Sequence, residues 1–179
     1  MKGPAIATLA VLAVAGLGFG ASEVLVPSKA TTAVENAAND RLRAPGDPYN
    51  LLGGTTRCTY LNGYGALITV ELELVAASDI NPFRPAYSAQ EIEALHDRKV
   101  KKLPVLKDTL RALMVSSADT LTSLPPNERV AVEARLWHFR WEDSKGIPDR
   151  IFMSAEKSKL LTAKANPAAL AAVVEEQDQ

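Results

Sequence analysis

The stretch that constrains this chain most runs from residue 64 to residue 75. Ile68, Val70, Leu72 and Leu74 alternate there with Thr69, Glu71 and Glu73. Side chains of a strand point to opposite faces in turn, so this pattern makes a strand with one apolar face and one wet face. Just before it, residues 56–61 read as a short strand, and Asn62-Gly63 lies between the two. Asn-Gly suits a type I′ hairpin turn, which needs positive φ at both central positions. An antiparallel hairpin over 56–75 is the first expectation.

A second alternation fills residues 129–141. Val130, Val132, Ala134, Leu136 and His138 share one side; Glu133, Arg135, Trp137, Phe139 and Trp141 share the other. The segment 142–149 is rich in turn formers, and 150–155 returns as a strand with Ile151 and Met153 on one face. Between the hairpins, Ser88 with Glu91 three positions on is a capping box, in which each side chain meets the other's free backbone amide. Ile92, Leu95, Val100, Leu103, Leu106, Leu110, Leu113, Met114 and Leu121 then recur mostly at steps of three and four, the stripe of a core-facing helix. Pro104 removes a backbone donor inside that stripe, so two helices or one kinked helix are expected, ending before Pro125-Pro126.

Hairpin, helix and hairpin assemble most economically as an α+β domain, two β-hairpins forming a four-stranded antiparallel sheet packed against a long kinked helix. That domain covers residues 56–163. A weak helix and a Pro- and Gly-punctuated linker occupy 23–55, a short helix lies near 157–163, and the alanine-rich, acid-ended residues 164–179 read as a flexible tail.

Residues 1–22 carry an address. Lys2 is followed by an apolar run from Ala5 to Gly20 with no charge until Glu23, the order of a secretory signal peptide. Cleavage after Gly20, Ser22 or Ala30 fits the small-residue rule. The run is short for a membrane span, which takes about 20 apolar residues, so membrane contact is expected only if this segment stays uncleaved. The chain is expected in the periplasm or outside the cell. One cysteine among 179 residues suits an oxidising compartment and forms no internal disulfide.

Twenty basic groups against 21 acidic ones leave a net charge of −1, without the basic excess of a nucleic-acid binder. The chain has no Gly-rich phosphate loop, no HExxH, no GxSxG and no long-period repeat, so no cofactor is expected. Two histidines and one cysteine are too few for a zinc site, and Glu142, Asp143 and Asp149 lack the ligand density of a calcium loop.

Candidate chemistry is sparse. His96 sits beside Asp97-Arg98-Lys99 on the edge of the helix stripe, and His138 continues the apolar side of its strand. Either could serve Cys58 as a base, but a small strand cysteine is more commonly inert packing. Glu71 and Glu73 share a strand face and could do acid–base work, although cross-strand ion pairs with neighbours such as Arg135 account for them as simply. No residue is assigned a catalytic role. Arg98, Lys99, Lys101, Lys102, Lys107 and Arg111, against Asp97 and Asp108, give residues 97–111 a net +4 that could attract an anionic partner.

Trp137, Phe139 and Trp141 are the least ordinary feature, because they continue the face that begins with Glu133 and Arg135. A strand face that turns from charged to aromatic is either covered by another part of the chain or binds something. Flat rings suit a protein partner, a second copy of the chain or a sugar. Asn62-Gly63-Tyr64-Gly65, Leu124-Pro125-Pro126 and Trp141-Glu142-Asp143 together resemble a family of exported bacterial proteins without assigned activity, over residues 56–160. That resemblance implies no catalytic residue, cofactor or partner. The leading expectation is an exported cell-envelope binding or interaction module with Trp137, Phe139, Trp141 and Arg135 at its contact. The alternative is a hydrolase of an envelope polymer acting through the strand carboxylates or His138.

Overall fold

In a computed structural model of the chain, the described residues are 26–44, 49–75 and 87–179. The expected signal peptide and the loop around Pro82 lie outside them. The elements run α1 (Ser28–Leu42), β1 (Asn50–Leu51), β2 (Arg57–Leu61), β3 (Gly65–Glu73), α2 (Ala89–Thr120), β4 (Arg129–Leu136), β5 (Arg150–Glu156), α3 (Lys157–Ala163), α4 (Pro167–Val173) and β6 (Glu175–Asp178).

The class is α+β, and both expected hairpins form. Strand β2 pairs antiparallel with β3, Leu61 opposite Gly65 and Arg57 opposite Thr69. The turn between them is not type I′. The Tyr64 amide donates to the Leu61 carbonyl at 3.0 Å, and of the two central residues only Gly63 has a positive φ, 77°. Those features fit a type II turn, which asks for positive φ at its second central residue alone. Gly65 follows at φ 134°, where a Cβ would stand 1.9 Å from the Arg129 carbonyl oxygen. The bare backbone lets β4 close on β3 at that rung.

Strands β4 and β5 pair antiparallel, Arg129 opposite Glu156 and Arg135 opposite Arg150. The two hairpins, however, join in parallel, from Gly65 opposite Arg129 to Leu72 opposite Leu136. A parallel pair needs a long crossover, and the 32-residue α2 supplies it, about 48 Å of helix at the standard rise. Among the described residues the sheet holds six strands rather than four, in the order β1-β3-β4-β5-β6, with β2 also on β3. Alternation reports which face a residue takes and is silent on strand direction, so the antiparallel expectation for the central pair fails.

Helix α2 is one continuous element through Pro104. Its start is the expected capping box: the Glu91 amide donates to the Ser88 hydroxyl at 3.3 Å, and the Ser88 amide donates to the Glu91 carboxylate at 2.9 Å. Pro104 is exposed, so its ring faces solvent instead of the core. Inside, Leu106, Leu110, Leu113 and Met114 of α2 and Val34, Ala38 and Leu42 of α1 pack with Ile68, Val70, Val132, Ala134, Ile151 and Met153 of the sheet. The opposite sheet face keeps Arg57, Thr59, Glu71 and Arg135 exposed and Leu67, Thr69, Glu133 and Phe152 half-buried.

Residues 164–179 are structured where a flexible tail was expected. The Asn166 side chain accepts from the amides of Ala168 and Ala169 and starts α4 at Pro167. Strand β6 pairs antiparallel with β5, Ile151 opposite Asp178 and Ser154 opposite Glu175. All four of its residues are polar, so no hydrophobic alternation marks it. The alternation is one of charge partners. On the helix side Lys107 takes Glu176 at 2.8 Å and Asp178 at 2.6 Å, and Arg111 also takes Glu176; on the other side Arg129 takes Glu175 at 2.7 Å. Partial burial opposes the Lys107 charge, but its hydrogen bonds to Asp178 and Glu176 carry its pKa above the ordinary lysine value. The hydrogen bond from Arg129 holds the Glu175 carboxyl below the usual carboxylate range.

Candidate functional site

Strand β4 ends at Leu136, so Trp137, Phe139 and Trp141 are not on a strand as expected. The Trp137 amide still donates to the Leu72 carbonyl at 3.0 Å, a last rung, after which the chain turns away toward Arg150. The rings nonetheless meet. Trp137 and Phe139 stand edge to face with centroids 4.1 Å apart, Phe139 and Trp141 stack at 5.6 Å, and Trp141 stacks on Tyr87 at 4.0 Å. Tyr87, just ahead of α2, was not expected here; nothing in its own neighbourhood of sequence links it to Trp141. Phe139 and Trp141 are half-buried by this arrangement, while Trp137, at the free end, is 42% exposed.

Trp137 borders a cleft on the open sheet face. One part, about 300 Å³, is formed by Leu52, Glu71, Arg135, Leu136, Trp137 and Asp149. An adjoining part, about 450 Å³, shares Leu52, Glu71 and Arg135 and extends over Thr69, Glu133 and Arg57. On its floor Arg135 donates to Glu71 at 3.2 Å and lies 4.0 Å from Glu133, which Arg150 approaches to 3.8 Å. The Arg135 and Glu71 side chains are 64% and 56% exposed. Ion pairs so open to water contribute little to stability, typically about 0.2–1 kcal/mol, and exchange easily for other partners. Arg135 and Trp137 line the same part of the cleft.

The other candidate residues are distributed differently. Glu73 lies on the same side of β3 as Glu71 but is buried where β1 pairs with it, and its carboxylate accepts from the Asn50 side-chain amide at 2.6 Å. Cys58 is buried in β2, and burial, then the Glu35 carboxylate, push its thiol up from 9.0 to about 11. A thiol held protonated in that way is a poor nucleophile. His138 is nearly buried, with Nδ1 3.7 Å from Glu142 and Nε2 3.8 Å from Asp149, both beyond hydrogen-bond distance.

The six basic residues do not form one patch. Lys99 is buried and its ammonium meets the Glu142 carboxylate, itself only 3% exposed. Lys102 is buried with its ammonium 4.5 Å from the centre of the Tyr49 ring. Lys107 and Arg111 face the acids of β6, and of the six only Arg98 and Lys101 are exposed. The signal was present in the spacing, since Leu95, Lys99, Lys102 and Leu106 continue one helical stripe. His96 is half-buried, its Nδ1 2.9 Å from the exposed Asp143 carbonyl. Glu142 thus serves Lys99 and does not stand in an open acidic loop.

Among the described residues no group of three His, Cys, Asp or Glu side chains is placed to hold a metal ion, and no helix is long and apolar enough to cross a membrane. A further cavity of about 550 Å³ lies between Arg41 of α1, Val115 of α2 and Leu170 of α4, away from the aromatic rings. No family model, curated protein or solved structure matches this chain, and its candidate site is defined by its own geometry.

Proposed function

We propose that this chain is an exported cell-envelope binding module, without catalytic activity, that holds its partner on the open sheet face beside Trp137. The observation that carries the proposal is the exposed Trp137 ring, braced from behind by Phe139, Trp141 and Tyr87 and set against a cleft of solvent-exposed ion pairs. A large ring already held in place contributes contact area with little loss of entropy, as at the anchors of binding interfaces. The export part rests on Lys2 and the apolar run that follows it.

The hydrolase reading has less support. Glu71 is engaged by Arg135, Glu73 is buried and bound by the Asn50 side chain, and among the described residues no nucleophile hydrogen-bonds to His138. Co-sedimentation with isolated envelope material tests the binding reading. Wild-type protein should pellet, and Trp137→Ala should stay in the supernatant. Equal pelleting of wild type and Trp137→Ala would remove the aromatic face from the proposal.

A further inference from the structure

We infer that the cleft beside Trp137 takes a neutral, hydroxyl-rich chain, a saccharide, with one ring stacked on Trp137 and its hydroxyls on Arg135 and Glu71. This rests on the binding-face reading above and narrows it to one class of ligand.

Three observations lead there. First, Trp137 offers a flat apolar surface that cannot easily fold away, because Phe139 meets it edge to face at 4.1 Å and is itself backed by Trp141. The C–H face of a sugar ring packs on such a surface. Second, the charges around it cancel. Glu71, Glu133 and Asp149 stand against Arg57, Arg135 and, 3.8 Å from Glu133, Arg150. A polyanion or polycation would meet as much repulsion as attraction, whereas a hydroxyl donates to the carboxylates and accepts from the guanidiniums at once.

Third, the floor is the wrong composition for the centre of a protein interface. Such centres are depleted in charge, and covering Glu71 and Arg135 with apolar surface would strip water from both. A sugar replaces that water with its own hydroxyls. The two adjoining volumes of about 300 and 450 Å³ share Leu52, Glu71 and Arg135, so the site is a trough with room beyond a single ring on Trp137.

The test is a titration of the full chain, in the form found after export, with maltohexaose, cellohexaose and chitohexaose, followed by calorimetry and by tryptophan emission. Concentrations up to about 10 mM reach even millimolar affinities. Trp141, held by Tyr87, provides a steady background against which Trp137 reports. At least one oligosaccharide should bind saturably, shift the emission to the blue, and bind about tenfold or more weakly to Trp137→Ala. Trp137→Tyr should keep most of the affinity and Arg135→Ala lose several-fold; both side chains are exposed, so unfolding midpoints should match wild type.

No binding by the panel, equal binding to Trp137→Ala, or tighter binding of a charged polysaccharide would overturn the inference. Sedimentation velocity separates its failure from that of the wider reading. If the sugars are inert but the chain self-associates through Trp137, the saccharide falls and the binding face stands. If Trp137→Ala changes neither sugar binding nor association nor envelope pelleting, both fall.

Discussion

Lys99 and Glu142 meet where water does not reach, with side chains 1% and 3% exposed, and they tie the first half of α2 to the segment that follows the aromatic rings. Taking two charges out of water costs several kcal/mol each, and their attraction returns that only while both are present. Glu142→Leu leaves a buried ammonium alone and should destabilise the protein by about 3–5 kcal/mol in urea unfolding. Lys99→Met with Glu142→Leu replaces the pair by apolar surface and should recover most of the loss. If the double variant is no more stable than Glu142→Leu, the pair does not act as a unit. Because His96 and the Tyr87–Trp141 stack hold the same two segments together, the single variant should also loosen the aromatic ladder. Little of this was legible from the residues one at a time. A lysine inside a hydrophobic stripe reads as solvated until the stripe is followed through it, and its partner lies 43 positions away in a stretch that looks like a polar turn.

At the scale of elements the alternating strands and the capped helix were legible because each is a local physical rule written in consecutive residues. Ile68 to Leu74 could only be a half-buried strand, and Ser88 with Glu91 could only open a helix that the stripe beyond it would continue. Pro104 is where local reading and packing disagree. It denies the Val100 carbonyl its usual donor, yet α2 runs on from Ala89 to Thr120, because Leu106, Leu110 and Leu113 beyond it are fully buried against the sheet. The packing holds the helix across a break that an isolated peptide would not tolerate. Pro104→Ala restores the donor at an exposed position and should raise stability by about 1–3 kcal/mol, read as a higher urea midpoint. A loss of stability instead would mean that the proline's restriction of the unfolded chain outweighs the missing hydrogen bond.

For the molecule as a whole, strand order was the part that could not be read. The parallel β3–β4 pair depends on how a long helix crosses the sheet, and β6 depends on charges more than 60 positions away. The same placement decides how the sheet edge is protected. With β6 in place, the far edge is a short acidic strand, which blunts pairing with other chains; without it, the longer and more apolar β5 becomes the edge. Glu176→Lys with Asp178→Lys sets cations against Lys107 and Arg111, which should release β6, raise amide exchange along β5 and produce concentration-dependent association in sedimentation velocity. Acid should act in the same direction on the wild type. Burial raises the Glu176 carboxyl but its bonds to Lys107 and Arg111 outweigh that and hold it below the ordinary 4.5, so its stabilisation is complete above that pH and lost as pH falls through the lower value. A double variant that stays as monodisperse as wild type, with β5 amides equally protected, would show that backbone pairing alone holds β6 and that its alternating charges are incidental.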